Sequence, residues 1–257
     1  MKFLAIGDIV STAGCNYLGE ALPELKKRYG ADFVIVNGEN SALGNGVTPQ
    51  SAEQLFNCGA DVITLGNHAL RRPEIYDYLD EHSRIIRPAN FHPSAPGSGV
   101  AVIDLGFTKA AVINLQGNVY LETHSNAFDC ADEMVEKAQK EDCRIIIVDF
   151  HAEATSEKRA MGFYLDGRIS AIFGTHTHVQ TSDNQILQNG TGYITDLGMT
   201  GAVNSVLGIE PELAIKKMQT GLPVRFKNPD GKCVCEGCFF EIDDKTGKTV
   251  YTEAFRR

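Results

Sequence analysis

The chain has 257 residues, of which 43% are hydrophobic and 22% charged, the composition of an ordinary soluble globular protein. Its net charge of −9 argues against a nucleic-acid polymer as partner, because such a partner favours a basic surface; a small anionic substrate stays open, since bound metal can reverse the local charge. No apolar stretch approaches the ~20 residues that span a bilayer, and seven cysteines without an apparent leader indicate reduced thiols, so we expect a cytoplasmic protein with no membrane partner.

Predicted strands and helices alternate along the chain. From the N-terminus, the patterns predict strand 3–8, helix 15–29, strand 33–37, helix 49–58, strand 61–65, helix 73–81, strands 100–104 and 110–115, helix 127–140, strands 144–149, 169–173 and 191–195, and helix 211–219. Residues 222–226, 233–243 and 249–255 then read as antiparallel strands parted by Asn-Pro-Asp-Gly and Asp-Lys-Thr-Gly turns. Because no repeat or linker interrupts this order, we predict a layered α/β fold with a β-rich C-terminal segment, in one domain over residues 1–257.

Five of the apolar runs end in residue types that bind metals. In an open α/β sheet, ligand sites form beyond the carboxyl ends of the strands, so these residues are predicted to share one rim. They are Asp8 after FLAIG, Glu39 and Asn40 after DFVIVNG, Asn67 and His68 after DVITLG, His151 after RIIIVDF, and His176 and His178 in ISAIFGTHTH. The set is large enough to hold two ions.

The residue chemistry at this rim favours a pair of divalent cations. His176 and His178, at i and i+2 of an extended segment, leave the same face and can both reach one cluster. Glu39 stands where neither helix nor turn chemistry asks for glutamate, which favours a carboxylate bridging two ions, whereas Asp8 alone is also compatible with capping. With these two carboxylates and one bridging hydroxide, two divalent ions keep a net charge of about +1, which suits a phosphodiester monoanion. Mixed nitrogen and oxygen ligands favour iron, manganese or zinc over magnesium or calcium.

Other motifs have structural explanations that need no ligand. Cys233, Cys235 and Cys238 form C-x-C-x-x-C but lack the fourth ligand of a structural zinc site, so we interpret them as part of a half-buried hairpin. The isolated histidines, which we expect to be surface or hydrogen-bonded side chains, are His82, His92 and His124.

The motifs together resemble those of the calcineurin-like metallophosphoesterase superfamily. The resemblance lies in Gly-Asp at 7–8, Gly-Asn-His at 66–68, the lone His151 and Gly-Thr-His-Thr-His at 174–178. The superfamily has Asp-x-His at its first strand and Gly-Asp-x-x-Asp at its second, where this chain has Val10 and Asn-Gly-Glu-Asn at 37–40. With those departures, the motifs of this chain resemble the motifs of one bacterial branch, the YmdB-like metallophosphoesterases. Longer strings shared with that branch are RPANF (87–91), NLQG (114–117), DFHAEATSEK (149–158), GTHTHVQTSDNQIL (174–187) and YITDLGMTG (193–201).

This resemblance implies a fold and a division of ligands. The fold would be a four-layer α/β/β/α sandwich with mixed sheets, in a homo-oligomer. One ion would be held by Asp8, Glu39, Asn40 and His178, and the other by Glu39, Asn67, His151 and His176, while His68 would be the proton donor. Iron or manganese would be the metal. Where the branch often has Thr-Trp after Gly-Asn-His and Arg after Asn-Leu-Gln-Gly, this chain has Ala69-Leu70 and Asn118, departures that leave the substrate preference less defined than the chemistry.

The resulting functional hypothesis is a metal-dependent phosphodiesterase acting on a small nucleotide, a 2′,3′-cyclic one. A hydroxide that bridges the two ions would attack phosphorus in line, and His68 would protonate the departing ribose oxygen. One alternative keeps the site but makes the substrate a phosphomonoester or a phosphoprotein. A second alternative is a regulatory protein whose metal site and assembly matter more than turnover.

Overall fold

The computed structural model describes residues 1–106 and 108–257. The helices are α1 Ser11–Tyr29, α2 Pro49–Cys58, α3 Tyr76–Glu81, α4 Ala127–Lys140, α5 Thr155–Leu165 and α6 Pro211–Thr220, with a 3₁₀ turn at Pro73–Ile75. The strands are β1 Lys2–Ile6, β2 Asp8–Ile9, β3 Phe33–Asn37, β4 Val62–Thr64, β5 Ile85–Ile86, β6 Val100–Asp104, β7 Lys109–Gln116, β8 Cys143–His151, β9 Ala171–Thr175, β10 Gln185–Ile186, β11 Gly192–Ile194, β12 Met199–Ala202, β13 Cys233–Ile242 and β14 Thr249–Arg256.

These strands form two mixed sheets. The first has the order β2-β12-β13-β1-β3-β4-β5. In it, β12 and β1 pair with successive parts of one edge of β13, and β14 pairs with the opposite edge. The second has the order β10-β11-β9-β8-β7-β6. Neighbouring strands are parallel from β1 to β5 in the first sheet and from β7 through β8 and β9 to β11 in the second. Parallel neighbours present their carboxyl ends at one edge of a sheet, and both sheets therefore have an edge suited to a ligand site.

The two sheets pack face to face, and helices cover their outer faces. In β1, Phe3 points into the core between the sheets, where it stacks on Phe240 with ring centroids 4.9 Å apart, whereas Leu4 points into the core under α1 and α2. This alternation follows from the two-residue period of a strand. Helices α4 and α5 cover the second sheet in the same way. The predicted α/β/β/α sandwich with mixed sheets is confirmed. None of the described helices has the length and apolar character that crossing a membrane requires.

Local sequence explains where several helices begin and end. Thr48 caps α2 by accepting a hydrogen bond from the Ser51 N–H at 3.2 Å, and Gly59 ends that helix with a φ of 108°. Helix α1, predicted from residue 15, begins at Ser11. The difference arises at Gly14, a poor helix former, which is needed because a Cβ there would lie 2.3 Å from the Thr200 carbonyl oxygen.

The C-terminal segment differs from its prediction in two respects. Residues 222–226, predicted as a strand, form no strand, and the hairpin consists of β13 and β14 alone. Strand β13 lies inside the sheet, with β1 and β12 along one edge and β14 along the other, and both of its faces are covered. Cys235 and Cys238 are accordingly buried in the two separate cores on either side of the sheet, so the interpretation as a half-buried hairpin was wrong in its burial.

Some elements were not predicted at all. Helix α5 does not appear among the predicted elements, and neither do the strands β2, β5, β10 and β12, which are two to four residues long. Strands this short carry too few residues to show a periodic pattern, and pairing with longer neighbours defines them.

Candidate metal centre

All eight residues predicted at the strand ends lie at one edge of the sandwich, where the two sheets meet. Asp8, Glu39, Asn40, Asn67 and His68 follow strands of the first sheet, and His151, His176 and His178 end or follow strands of the second. Polar contacts connect all eight into one cluster. Its innermost side chains, those of Asp8, Glu39 and His151, are at most 1% exposed.

The ring of His151 is oriented from behind by two residues. The Thr175 hydroxyl donates to the Asp149 carboxylate at 2.7 Å and therefore accepts the 2.8 Å hydrogen bond from His151 Nδ1. This fixes the proton on Nδ1 and leaves the lone pair of Nε2 directed into the cluster. Partners of this kind commonly orient metal-binding histidines.

Lone-pair atoms converge around His151 Nε2. The Asn67 Oδ1 atom lies 3.0 Å away, His176 Nδ1 3.1 Å away and Glu39 Oε2 3.3 Å away. Ligand atoms of Glu39, His151 and His176 all lie within 4.8 Å of one another. Acceptors that face each other in a buried position are unfavourable unless a positive charge lies among them.

A second set of ligand atoms surrounds Asp8. Its Oδ1 is buried, has no hydrogen-bond partner among the described residues, and lies 3.5 Å from His178 Nε2. His178 donates from Nδ1 to the Leu207 carbonyl oxygen at 3.1 Å, so Nε2 is the ring nitrogen that faces Asp8. The Asn40 Nδ2 group lies 3.5 Å from that same nitrogen and donates a hydrogen bond to Glu39 Oε1 at 2.8 Å. Glu39 therefore contacts both sets, one through each carboxylate oxygen.

The electrostatics of the cluster call for positive charge. Burial opposes a charge on His178, but the Asp8 carboxylate outweighs it and raises the pKa of His178 to about 9. Burial likewise opposes a charge on His151, yet Glu39 raises its pKa. Burial also opposes ionisation of Glu39, and His151 with His68 holds the pKa of that carboxyl well below its usual range. The carboxylates stay ionised and favour cations beside them.

The donor set fits divalent metal ions. An unpaired buried carboxylate oxygen at Asp8, converging lone pairs at His151 and a carboxylate shared by both sets are what such ions would satisfy. Imidazole, amide and carboxylate ligands together suit iron, manganese or zinc.

His68 lies beside the ligand cluster. It is 22% exposed, its backbone N–H donates to Glu39 Oε2 at 3.0 Å, and its Nδ1 contacts Asn40 Oδ1 at 2.9 Å. Within residues 1–106 and 108–257 no protein contact engages its Nε2. This ring nitrogen is therefore free to exchange a proton with a ligand in the adjoining cavity.

The loop that carries His176 and His178 is held by a buried ion pair. Lys158 is 2% exposed, and its Nζ lies 2.6 Å from Asp196 Oδ2. The same carboxylate oxygen accepts from the hydroxyl of Thr177, between the two histidines, at 2.7 Å. Both histidines have positive φ values, 95° and 59°, which the surrounding contacts must stabilise.

Several supporting residues were missed from the sequence. Thr175, Asp149, Asp196 and Lys158 act behind the ligands, and nothing in their local pattern distinguishes them from ordinary strand and helix residues. Glu153 was visible within DFHAE but received no role, although its Oε2 lies 3.0 Å from His176 Nε2.

A cavity of about 280 Å³ adjoins the cluster. Glu39, Asn40, His68, His176 and His178 form one wall. Val10, Asn45, Leu207, Ile209 and Asn228 also line the cavity. The cavity thus offers an apolar and amide surface beside a cation-binding one.

The positions where this chain departs from its branch do not line that cavity. Ala69 is fully buried, and Leu70 packs against the core under the helices. The Asn118 side chain accepts from the Ala127 N–H at 2.8 Å and donates to the Ser125 carbonyl oxygen at 3.1 Å, which stabilises the loop before α4.

The Thr175 hydroxyl gives a testable prediction about ligand orientation. We expect Thr175→Val, which keeps the shape but removes the hydrogen bond to His151, to weaken metal binding by about 10–100-fold. Thr200→Val is the matched control, because Thr200 is equally buried and its hydroxyl has no partner among the described residues. Metal titration of both variants checks this. Equal affinities in the two variants would contradict an orienting role for Thr175.

Comparisons with known proteins give one consistent result. A family model described as YmdB-like protein matches residues 4–255. The chain is 47% identical over 253 residues to the 2′,3′-cyclic-nucleotide 2′-phosphodiesterase of Bacillus subtilis (strain 168), covering 98% of this chain and 96% of that protein. The structure is similar to that of a hypothetical protein from Thermus thermophilus, with a TM-score of 0.93, 36% identity and coverage of 100% and 99% of the two chains. It is equally similar to a novel phosphatase from Mycoplasma pneumoniae, with a TM-score of 0.93, 37% identity and coverage of 100% and 93%.

Proposed function

The chain belongs to the YmdB-like family of metal-dependent phosphodiesterases, and we propose that it hydrolyses small 2′,3′-cyclic nucleotides. The observation that carries the proposal is the buried Glu39 carboxylate beside the cavity, whose Oε2 faces His151 Nε2 while its Oε1 accepts a hydrogen bond from Asn40. The similarity to the Bacillus subtilis enzyme supports the choice of substrate.

In this proposal the chain holds two divalent ions, with iron or manganese as the expected metal. Asp8, Asn40 and His178 would hold one ion, Asn67, His151 and His176 would hold the other, and Glu39 would be shared. When bound, such a pair of ions would activate a water molecule and stabilise the oxygens of the phosphoryl group that the water attacks.

The protein residues supply orientation and proton transfer. The Thr175 hydroxyl keeps His151 Nε2 free to act as a ligand, and the His178 contact with Leu207 does the same for His178 Nε2. His68 would hold a proton on Nε2, the nitrogen without a protein contact, and release it to the departing ribose oxygen.

The charge of the site supports a monoanionic substrate. Two divalent ions exceed the charge of the Asp8 and Glu39 carboxylates, so the loaded site is cationic. No lysine or arginine of the described chain lines the cavity, so the ions are the main attraction for phosphate. A phosphodiester, with one negative charge, matches this modest potential.

The test compares substrates on the metal-loaded protein. We expect turnover of a 2′,3′-cyclic nucleotide to exceed that of an aryl phosphomonoester, measured as kcat/KM under the same conditions. A preference for the monoester would favour the phosphatase alternative. Hydrolysis of neither substrate would favour a regulatory protein that binds metal without turnover.

A further inference from the structure

Glu153 is a carboxylate at the cavity that the proposed reaction does not use. It lies on the short connection between β8, which ends at His151, and α5, which begins at Thr155. Its side chain is 49% exposed, lines the cavity, and holds its Oε2 at 3.0 Å from His176 Nε2. The carboxylate therefore has a fixed position where an incoming phosphate would pass.

No cationic side chain balances this carboxylate within the described cavity wall. Lys158, near in sequence, is buried and paired with Asp196. Arg159 lies 3.6 Å from Asp183 and does not line the cavity. Among residues 1–106 and 108–257, the one polar side-chain contact of the Glu153 carboxylate is with the ring of His176, whose other nitrogen faces the metal ligands.

The charge of a phosphate ligand changes during the proposed reaction. Water adds to the phosphorus of a cyclic diester, one phosphorus–oxygen bond to ribose breaks, and the released alkoxide takes a proton. The substrate is a monoanion, whereas the phosphomonoester product approaches a dianion near neutral pH. A fixed carboxylate repels the dianionic product more strongly than it repels the monoanionic substrate.

We propose that Glu153 determines selectivity for phosphate charge, disfavouring dianionic monoesters and so aiding product release and excluding phosphomonoester substrates. This inference rests on the proposed phosphodiesterase function. The contact of Glu153 with His176 Nε2 also fixes that ring so that Nδ1 faces the ligand cluster. Glu153→Gln separates the two effects, because the amide oxygen can still accept from Nε2 while the charge is lost.

The experiment measures direct binding of two matched ligands to the metal-loaded protein. Adenosine 3′-monophosphate carries the extra charge, and its methyl diester lacks it. For Glu153→Gln we expect the ratio of the two Kd values to shift by roughly three- to tenfold in favour of the monoester. A shift of this size is expected when the repulsion between one partly solvated carboxylate and one phosphate charge is removed. Glu153→Asp keeps the charge and should preserve the parent ratio.

Glu136→Gln is the control for net charge, since Glu136 lies exposed on α4, forms an ion pair with Lys140 and does not line the cavity. An unchanged ratio in Glu153→Gln, or an equal shift in Glu136→Gln, would overturn the role of Glu153. Because the ratio comes from binding, it is obtained with or without turnover. Absence of diester hydrolysis in the parent would instead overturn the proposed function.

Discussion

Glu39→Gln is expected to lose bound metal and activity together. The substitution keeps the size of the side chain but replaces a carboxylate, 1% exposed and in contact with both sets of ligand atoms, with a neutral amide. A neutral amide donates hydrogens from one end, so it cannot offer two anionic oxygens to two cations. We expect about two ions per chain in the parent and fewer in the variant, with turnover falling more than the ~10–100-fold typical of residues that only orient ligands.

Elemental analysis and kinetics on the same preparations check this prediction. Chelation of the parent should abolish hydrolysis, and circular dichroism of the metal-free forms should show that both proteins keep their fold. An active parent that contains one ion or none would rule out the two-metal mechanism. A Glu39→Gln variant with full metal content would show that Glu39 is not shared between ions.

Much of the architecture was predictable because long elements carry their own pattern. Helix α2 was predicted with its observed bounds, since Thr48, Pro49 and Gly59 mark both ends. The strands that end at the site were recognisable as apolar runs that stop at polar residues. Their shared edge followed from the geometry of parallel sheets.

The parts that could not be predicted depend on contacts between distant segments. The role of Thr175 requires Asp149 and His151 from a neighbouring strand, and Lys158 is paired with a residue 38 positions later. The burial of β13 on both faces requires its pairing with β1, which lies more than 200 residues earlier in the chain. Local sequence contains no signal for any of these contacts.

His68→Ala is expected to separate proton donation from metal binding. The backbone N–H of residue 68, which donates to Glu39 Oε2, survives the substitution, so the ligand loop should keep its shape and both ions. The substitution removes the proposed proton donor, and general-acid catalysis contributes about 10²–10⁴-fold. Turnover of a 2′,3′-cyclic nucleotide, whose leaving group is a poor alkoxide, should therefore fall within that range.

A substrate with a good leaving group provides the internal comparison. A nitrophenolate departs without needing a proton, so His68→Ala should slow hydrolysis of a nitrophenyl phosphodiester much less than that of the cyclic nucleotide. His82→Ala is the control variant, because His82 stacks on Tyr78 away from the cavity and should leave both rates at the parent value. If His68→Ala retains its metals and slows both substrates equally, His68 positions the phosphate and another group supplies the proton. Unequal losses, larger for the alkoxide, are what a proton held on His68 Nε2 requires.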